Sequence, residues 1–428
     1  MTGSEMIEGE DKLERRVTAG LRGASWDPEL VPERMRTRVF PVRAADNAPV
    51  IGYLHSLGGE KAVVFIMHPR ELLVTHYMVP HLLKAGYAVW TQAPRTVGND
   101  LRLEHETAVL DVAAGMVELR SLGFETIVML GNSGGASLFA FYNQQAVAEP
   151  GGRIARTPGG RPVKLPEADL PVPDGFIFVA PHPGQGTLLQ NMIDPSVTDE
   201  DDPFSIDPAL DPFSEVNGFK DGKEGGASYA PEFLERYREA QHARVERIDA
   251  KAKALIKARM AAKKAQKLGE VPANKYDATY SGIFEVWRTD AEPRCFDTSL
   301  DPSDRRWGSV WGAKPLTSNV GSVGFARVCT PESWLSTWSA ISSNASFEKC
   351  GAAITQPTLI IYYTGDNSVF PSDVARIEQA IAASDKERVD VRGNHHGQSL
   401  RLDEENGQNI AARAINAWLE SRFEGGKQ

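Results

Sequence analysis

Apolar, strand-like runs alternate with helical patterns along most of the chain, and this alternation constrains the fold more than any other feature. The run KAVVFIMHP (61–69) is almost continuously apolar, as expected for a strand that is buried on both faces. A helical pattern follows over 72–86 and ends at a glycine, and strand and helix patterns then alternate over 87–147. This alternation predicts an α/β protein in which helices cover both faces of a mostly parallel sheet.

The pattern differs at the start and in the middle of the chain. Two runs at 36–42 and 48–57 alternate partly between apolar and polar residues and flank the turn-forming residues RAADN, which predicts an antiparallel start. A strand pattern at 175–181 is followed by a long interruption. The alternation resumes with PTLIIYYTGD at 357–366 and ends in a helical pattern over 409–423. We therefore expect a core that is split by an insertion.

Composition and charge exclude several classes of protein. The 428 residues carry a net charge of −10, which argues against nucleic-acid binding because Lys and Arg must neutralise the phosphates. The first residues, MTGSEMIEGEDKLERRV, lack the apolar segment of a secretory signal, and no later run is long enough to span a membrane, so we expect a cytoplasmic protein. Cys295, Cys329 and Cys350 form no CxxC pair and are expected to be buried free thiols.

A lone serine stands between glycines where a strand pattern gives way to a helical one. In GNSGG (131–135), a tight turn would hold Ser133 in a strained conformation with its hydroxyl above the sheet. Side chains at Gly131 or Gly135 would collide with the neighbouring strand or helix. A phosphate-binding loop would need a lysine that is missing here, whereas a serine that only caps the helix stays an alternative. The pattern favours a nucleophile.

An acid and a base follow in the order that a serine hydrolase on such a sheet requires. Asp366 ends a predicted strand and has a carboxylate that can orient an imidazole. The next strand leads into GNHHG, which offers His395 and His396 as the base. We favour His396, because Gly393 lies three residues before it and matches the turn that presents the base; His395 is the alternative. The order Ser, Asp, His supports a catalytic triad.

These segments resemble the α/β-hydrolase superfamily over residues 35–184 and 345–425, through GNSGG, TGDNSVFP and GNHHG. The resemblance implies an α/β-hydrolase fold with a mostly parallel eight-stranded sheet whose second strand is antiparallel. It implies an oxyanion hole in which the amide of Gly134 is one donor. The second donor would come from MHPRE, where Pro69 has no N–H, so that Arg70 is expected, with Glu71 as the alternative. His68 is then a structural or substrate-contacting histidine, and His182 in VAPHPGQG a further substrate contact.

The implied activity is that of a carboxylesterase-like serine hydrolase. Ser133 would attack the carbonyl, His396 would transfer the proton and Asp366 would orient the imidazole, and water would release the acid. Acyl transfer or C–C bond hydrolysis by the same triad and a non-catalytic ligand-binding protein remain alternatives. No cofactor and no metal are expected. The acidic stretch at 194–212 lacks the glycine and glutamate of a calcium loop and is expected to be extended and solvated.

The resemblance divides the chain into an N-terminal extension (1–34), a core (35–184 and 345–428) and a largely helical cap or lid (185–344). The cap contains a helical pattern over 229–269 that starts after Pro231 and stops at Gly269. Its apolar stripe would pack within the cap, against a second copy in a homodimer, or on a membrane or nucleic-acid surface. The substrate is expected to be a small acyl compound, and Trp334 and Trp338, spaced i, i+4, would favour a bulky or aromatic acyl group. The apolar stripe comprises Val245, Ile248, Ala252, Leu255 and Met260.

Overall fold

The computed structural model describes residues 24–270, 274–321 and 324–424. Its main sheet has eight strands in the order β1-β2-β4-β3-β5-β6-β9-β10. The second strand runs antiparallel to both of its neighbours and all other neighbouring strands are parallel, which confirms the predicted sheet. The strands are β1 (Arg36–Arg43), β2 (Pro49–Ser56), β3 (Ala62–Met67), β4 (Ala88–Gln92), β5 (Thr126–Asn132), β6 (Gly175–Val179), β9 (Thr358–Tyr363) and β10 (Lys386–Val391).

Helices cover both faces of this sheet. Those that pack on the sheet are α1 (Val79–Lys84), α2 (His105–Ser121), α3 (Gly134–Val147), α6 (Pro371–Ala380) and α7 (Gly407–Arg422), whereas α4 (Gln185–Met192) and α5 (Pro231–Lys267) lie in the segment between β6 and β9. Successive side chains of β3 point to opposite faces: Phe65 packs in one cluster with α2, α3 and α6, and Ile66 packs in another with α1 and α7. Burial of each such side chain contributes about 1.5–3 kcal/mol, so the two-sided burial predicted from the apolar run stabilises the centre of the sheet.

The helix predicted over 72–86 is shorter in the structure, because α1 begins only at Val79. The residues before it pair with the chain that precedes β1. The amide of Trp26 donates to the carbonyl of Thr75 at 2.7 Å, and the amide of Tyr77 donates to the carbonyl of Ala24 at 2.9 Å. These bonds to another segment replace the intrahelical bonds. The rest of the predicted extension, 1–23, and the predicted absence of a signal segment there lie outside the described residues.

Between β6 and β9 the chain forms a substructure with its own apolar core. It contains α4, α5, a two-stranded sheet of β7 (Phe284–Glu285) and β8 (Val328–Cys329), and a π-helix at Trp334–Trp338. Short helices lie at Pro293–Phe296, Pro315–Val320, Pro331–Ser333 and, just before β9, at Phe347–Cys350.

The long helix predicted over 229–269 is confirmed as α5, and most of its apolar stripe is covered. Val245, Ile248 and Ala252 are buried against the tryptophans of the insertion, and Leu255 is partly buried there. Met260 is 61% exposed, so its assignment to the packed stripe is wrong. The rest of the insertion packs against about the first two-thirds of α5, and the remainder of the helix extends beyond it. Packing within the insertion therefore accounts for the stripe up to Leu255.

The acidic stretch at 194–212 is not solvated throughout, contrary to the expectation. Asp194 is fully buried, and its carboxylate pairs with the guanidinium of Arg288 at 2.5 Å. In the described ranges, no three or more His, Cys, Asp or Glu side chains are arranged so that they could hold a metal ion. The three cysteines are buried and free, as predicted. None of the helices in the part of the chain that the structure describes has the length and apolar character that a bilayer crossing requires.

We predict that Gly135→Ala lowers the stability of the protein. A Cβ at Gly135 would lie 2.3 Å from the carbonyl oxygen of Met67, which belongs to the backbone of β3 and cannot move aside. The cost should be about 2 kcal/mol or more in the free energy of unfolding, measured by urea titration. Gly151→Ala is the control, because a Cβ there would meet no atom within 4 Å. Equal stability of the two variants would contradict the close approach of α3 to β3.

Candidate active site

Ser133 occupies the turn between β5 and α3. Its backbone has φ 56° and ψ −122°, a region that side-chain-bearing residues rarely adopt. A Cβ at Gly131 would lie 2.6 Å from the Cα of Ala136 on α3, and one at Gly135 would strike β3. Both glycines are therefore required by close backbone approaches, as the sequence predicted. The turn directs the hydroxyl of Ser133 into a cavity at the carboxyl edge of the sheet.

His395 connects Ser133 to Asp366. Its Nε2 lies 3.0 Å from the Oγ of Ser133, and its Nδ1 lies 2.6 Å from Oδ2 of Asp366. The other carboxylate oxygen of Asp366 accepts from the amides of Ser368 at 2.7 Å and Val369 at 3.1 Å. Burial alone would raise the pKa of Asp366, but His395 and the amide of Ser368 outweigh it and hold that pKa below its usual value. The carboxylate is thus kept ionised behind the imidazole.

The preference for His396 is corrected by this geometry, which brings its neighbour His395 to Ser133. The turn after β10 decides between them. The side-chain oxygen of Asn394 accepts from the amide of His396 at 3.0 Å, and Gly397 closes the turn with φ 76°. This arrangement directs His395 toward β9 and Asp366. His396 lies against His395 with ring centroids 5.0 Å apart and lines the cavity.

A second imidazole, that of His182, also reaches the serine. Its Nε2 lies 3.1 Å from the Oγ of Ser133, and its ring stacks on His395 with centroids 5.2 Å apart. Its Nδ1 lies 3.0 Å from Oε1 of Gln185, so the Nδ1–H donates to this amide and Nε2 carries the lone pair. The hydroxyl proton of Ser133 therefore has two acceptors. The sequence predicted a substrate contact for His182; the structure puts its ring at the nucleophile.

The loop after β3 does not bring the expected backbone donors to the serine. The amides of Arg70 and Glu71 both donate to Nδ1 of His68, each at 3.1 Å. The guanidinium of Arg70 pairs with Asp100 at 2.7 Å. The expectation that the amide of Arg70, or alternatively of Glu71, faces the oxyanion is thus corrected. The cause is the ring of His68, which the loop folds around.

The cavity above Ser133 has a volume of about 70 Å³. The insertion contributes Gln185, Val310, Trp311 and Phe325 to its walls, and the core contributes His68 and Glu71 among others. Small apolar or aromatic surfaces thus face the nucleophile from the insertion side.

The two tryptophans predicted as substrate contacts are fully buried and do not line this cavity. The indole of Trp334 donates to Asp249 on α5 at 2.8 Å, and Trp338 packs behind Phe325 with ring centroids 5.9 Å apart. Both residues lie in the π-helix, whose aromatic side faces α5 and the inner core of the insertion. Trp311 and Phe325 line the cavity instead, in the position that was expected for Trp334 and Trp338. The sequence did not predict Gln185 or Ser368 as residues of the site, and the only signal for Gln185 was its place in VAPHPGQG, three residues after His182.

Comparisons with known proteins give only distant similarities. No protein-family model matches the chain, and no curated protein matches it. It is similar to the structure of DcsB in complex with its substrate analogue, with a TM-score of 0.47 and 11% identity over 91% of this chain and 100% of that chain. It is also similar to the esterase domain of a Rhodothermus marinus protein (TM-score 0.43, 10% identity, 90% and 99% covered). A third is the α/β hydrolase GrgF from Penicillium sp. sh18 (TM-score 0.44, 10% identity, 90% and 99% covered).

The strand order and the direction of each strand decide the fold without these similarities. Eight strands in the order 1-2-4-3-5-6-9-10, with only the second reversed, and a serine at the β5–α3 turn agree with the sheet and the turn that the resemblance implies. The fold is that of an α/β hydrolase. In this α/β-hydrolase fold, Ser133, Asp366 and His395 follow β5, β9 and β10 at the same edge of the sheet.

The environment of His182 keeps its ring neutral. Burial and the neighbouring His395 lower the pKa of His182 to about 3, although the hydrogen bond with Gln185 opposes the shift. The unfolded chain, with an ordinary pKa near 6.5, takes up a proton before the folded protein does. Stability from this residue is therefore complete above about pH 6.5 and is lost progressively as the pH falls toward about 3.

We predict that His182→Gln makes the stability less dependent on pH. Between pH 7.5 and 5 the wild type should lose about 2 kcal/mol more unfolding free energy than the variant, because only the wild type has this depressed pKa. Urea titrations at both pH values measure the difference. Ser368→Ala is the control, since it removes a polar neighbour of His182 but no group that titrates in this range. Parallel pH profiles of His182→Gln and wild type would contradict the neutral, buried state of the ring.

Proposed function

We propose that the protein is a serine hydrolase that cleaves carboxylic esters through an acyl-enzyme, with Ser133 as nucleophile, His395 as base and Asp366 as the residue that orients the base. The observation that carries the proposal is the continuous relay from Ser133 Oγ to His395 Nε2 at 3.0 Å and from His395 Nδ1 to Asp366 at 2.6 Å. A buried serine in a strained turn does not need an imidazole and a carboxylate for structural reasons, so these two partners support a catalytic role for Ser133.

The chemistry follows from these contacts. His395 accepts the hydroxyl proton as Ser133 attacks the substrate carbonyl, and Asp366 stabilises the imidazolium that forms. The tetrahedral oxygen develops its charge beside the amide of Gly134, at the positive end of α3. His395 then returns the proton to the leaving alcohol. Water repeats the sequence on the acyl-enzyme and releases the acid.

His182 is not a second base in this proposal, although its ring is almost as close to Ser133. A base must hold the proton that it removes, and the partner behind each ring decides whether it can. A carboxylate lies behind His395, whereas a neutral amide lies behind His182. The pKa of His182, lowered by burial to about 3, makes its protonated form inaccessible near neutral pH.

The segment 185–344 acts as the cap in this proposal, on a core made of 35–184 and 345–428. Trp311 and Phe325 from the cap line the cavity, which supports an acyl group that packs on aromatic rings. The cavity volume of about 70 Å³ is filled by a small acyl group. A bulky acyl group would displace Trp311 or Phe325 or extend out of the cavity, which is open to solvent on one side.

We predict that Ser133→Ala and His395→Ala each lower kcat for a p-nitrophenyl ester by at least about 10³-fold, because each variant lacks a member of the relay. His396→Ala is the matched control: it removes the adjacent imidazole and leaves the relay intact, so its loss should be far smaller. A serine-directed fluorophosphonate should label the wild type and His396→Ala but not Ser133→Ala. Near-normal turnover of folded His395→Ala, or an unlabelled wild type, would contradict the proposal.

We also predict that Trp311→Ala shifts the preference toward longer acyl chains. The shorter side chain opens the insertion-side wall of the cavity, so kcat/KM should rise for longer p-nitrophenyl esters relative to the acetate by about tenfold. Trp287→Ala is the control, because Trp287 does not line the cavity. An identical chain-length profile in Trp311→Ala and wild type would show that this wall does not contact the acyl group.

A further inference from the structure

We propose that two side chains, His68 and Gln185, complete the oxyanion hole together with the backbone amide of Gly134. This inference rests on the proposed function and names the groups that would bind the developing negative charge. In this arrangement the two side chains take the place of the backbone donor that, by the resemblance, the loop after β3 would supply. The starting observation is that neither Arg70 nor Glu71 offers its amide to the nucleophile.

The loop fixes the orientation of the His68 ring. Two amides donate to Nδ1, so this nitrogen is the acceptor and the proton of the neutral ring lies on Nε2. Burial and the positive charge of Arg70 lower the pKa of His68 well below its usual value, which is consistent with this neutral state. Nε2–H is consequently a fixed donor that faces away from the loop.

The amide of Gln185 is fixed in a similar way. Its Oε1 accepts from Nδ1–H of His182 at 3.0 Å, so its Nε2 is directed elsewhere as a donor. Within the described ranges, neither Gln185 Nε2 nor His68 Nε2 makes a hydrogen bond. Each residue thus uses its acceptor atom to hold its position and keeps its donor atom for another group.

The two donors converge over Gly134. A Cβ placed on Gly134 would lie 2.7 Å from Nε2 of Gln185 and 2.8 Å from Nε2 of His68. Both residues also line the cavity that contains Ser133. Two donor nitrogens that lie this close to one point, neither of them bonded to an acceptor among the described residues, form an environment suited to an anionic oxygen beside the amide at the start of α3.

The charge balance of the step is simple. Attack of the Ser133 oxygen forms the new C–O bond, and the electron pair of the carbonyl π bond moves to the carbonyl oxygen. That oxygen takes no proton but accepts hydrogen bonds from Gly134 N–H, His68 Nε2–H and Gln185 Nε2–H. When the carbonyl reforms, the bond to the leaving alcohol breaks, and the proton held by His395 goes to that alcohol.

The test uses substitutions that separate the donor atom of each residue from its acceptor atom. His68→Asn keeps an oxygen within reach of the amides two and three residues ahead but lacks the distant donor. Gln185→Glu keeps an oxygen for His182 Nδ1–H and replaces the donor by a carboxylate oxygen; because a carboxylate behind His182 could also make that ring a base, the pH profile of kcat is compared with that of the wild type, and an unchanged profile assigns the loss to the missing donor. Each change should lower kcat for a p-nitrophenyl ester by on the order of 10²-fold with little change in KM.

His68→Gln is the matched control, because its amide nitrogen reaches the place of Nε2 although the acceptor for the loop is lost. It should retain more activity than His68→Asn, whereas a purely structural role for His68 predicts the reverse order. A trifluoromethyl ketone, which forms a tetrahedral oxyanion on a serine, should bind His68→Asn and Gln185→Glu more weakly in proportion to the loss of kcat.

The outcomes distinguish this inference from the proposed function. If the wild type hydrolyses the ester and Ser133→Ala does not, but folded His68→Asn or Gln185→Glu turns over at the wild-type kcat, the oxyanion assignment is overturned and the triad stands. If the wild type has no activity toward esters and is not labelled by the fluorophosphonate, the proposed function itself fails. Should His68→Asn not fold, as judged by its thermal transition, Gln185→Glu decides alone.

Discussion

The site depends on the way in which β6 holds the strained turn at Ser133. The amide of Ser133 donates to the carbonyl of Val179 at 2.9 Å, and its carbonyl accepts from the amide of His182 at 3.1 Å. A residue with φ 56° persists only when its surroundings fix it, and these two bonds do so from the last residue of β6 and from the segment that follows it. The same contact brings the side chain of His182 to the nucleophile. The same backbone bonds therefore account both for the strained conformation of Ser133 and for the position of the His182 ring.

Two imidazoles share the hydroxyl of Ser133, and the groups behind them make the pair asymmetric. Asp366, whose pKa is held low against the effect of burial, faces His395, whereas the amide of Gln185 faces His182. The stacked rings cannot both carry a positive charge at a ring separation of 5.2 Å. The carboxylate thus selects which ring takes the proton, and the other stays a neutral neighbour that orders Gln185.

The sequence was sufficient for features that repeat or that need a particular residue. Burial on both faces predicted β3, and GNSGG predicted the turn at Ser133, because side chains are excluded there by backbone contacts. It was insufficient where one turn decides between neighbours. His395 and His396 are equivalent in the pattern, and the turn that Asn394 holds by accepting from the amides of His396 and Gln398 orients them. The amides of Arg70 and Glu71 were likewise misassigned, since an amide's direction has no signature in composition or spacing.

The insertion shows why spacing also failed for the tryptophans. Its π-helix is attached to the core: Thr337 donates to the carbonyl of Leu103 at 2.9 Å, and Ser336 donates to the buried Glu106 at 2.6 Å. With one side fixed in this way, Trp334 and Trp338 pack against α5, and Trp338 also packs against Phe325, which lines the cavity. A contact chain thus runs from α5 through Trp338 to the wall above Ser133. In the proposed enzyme, changes in the core of the insertion would therefore alter substrate choice by displacing that wall, without any contact between the changed residue and the substrate.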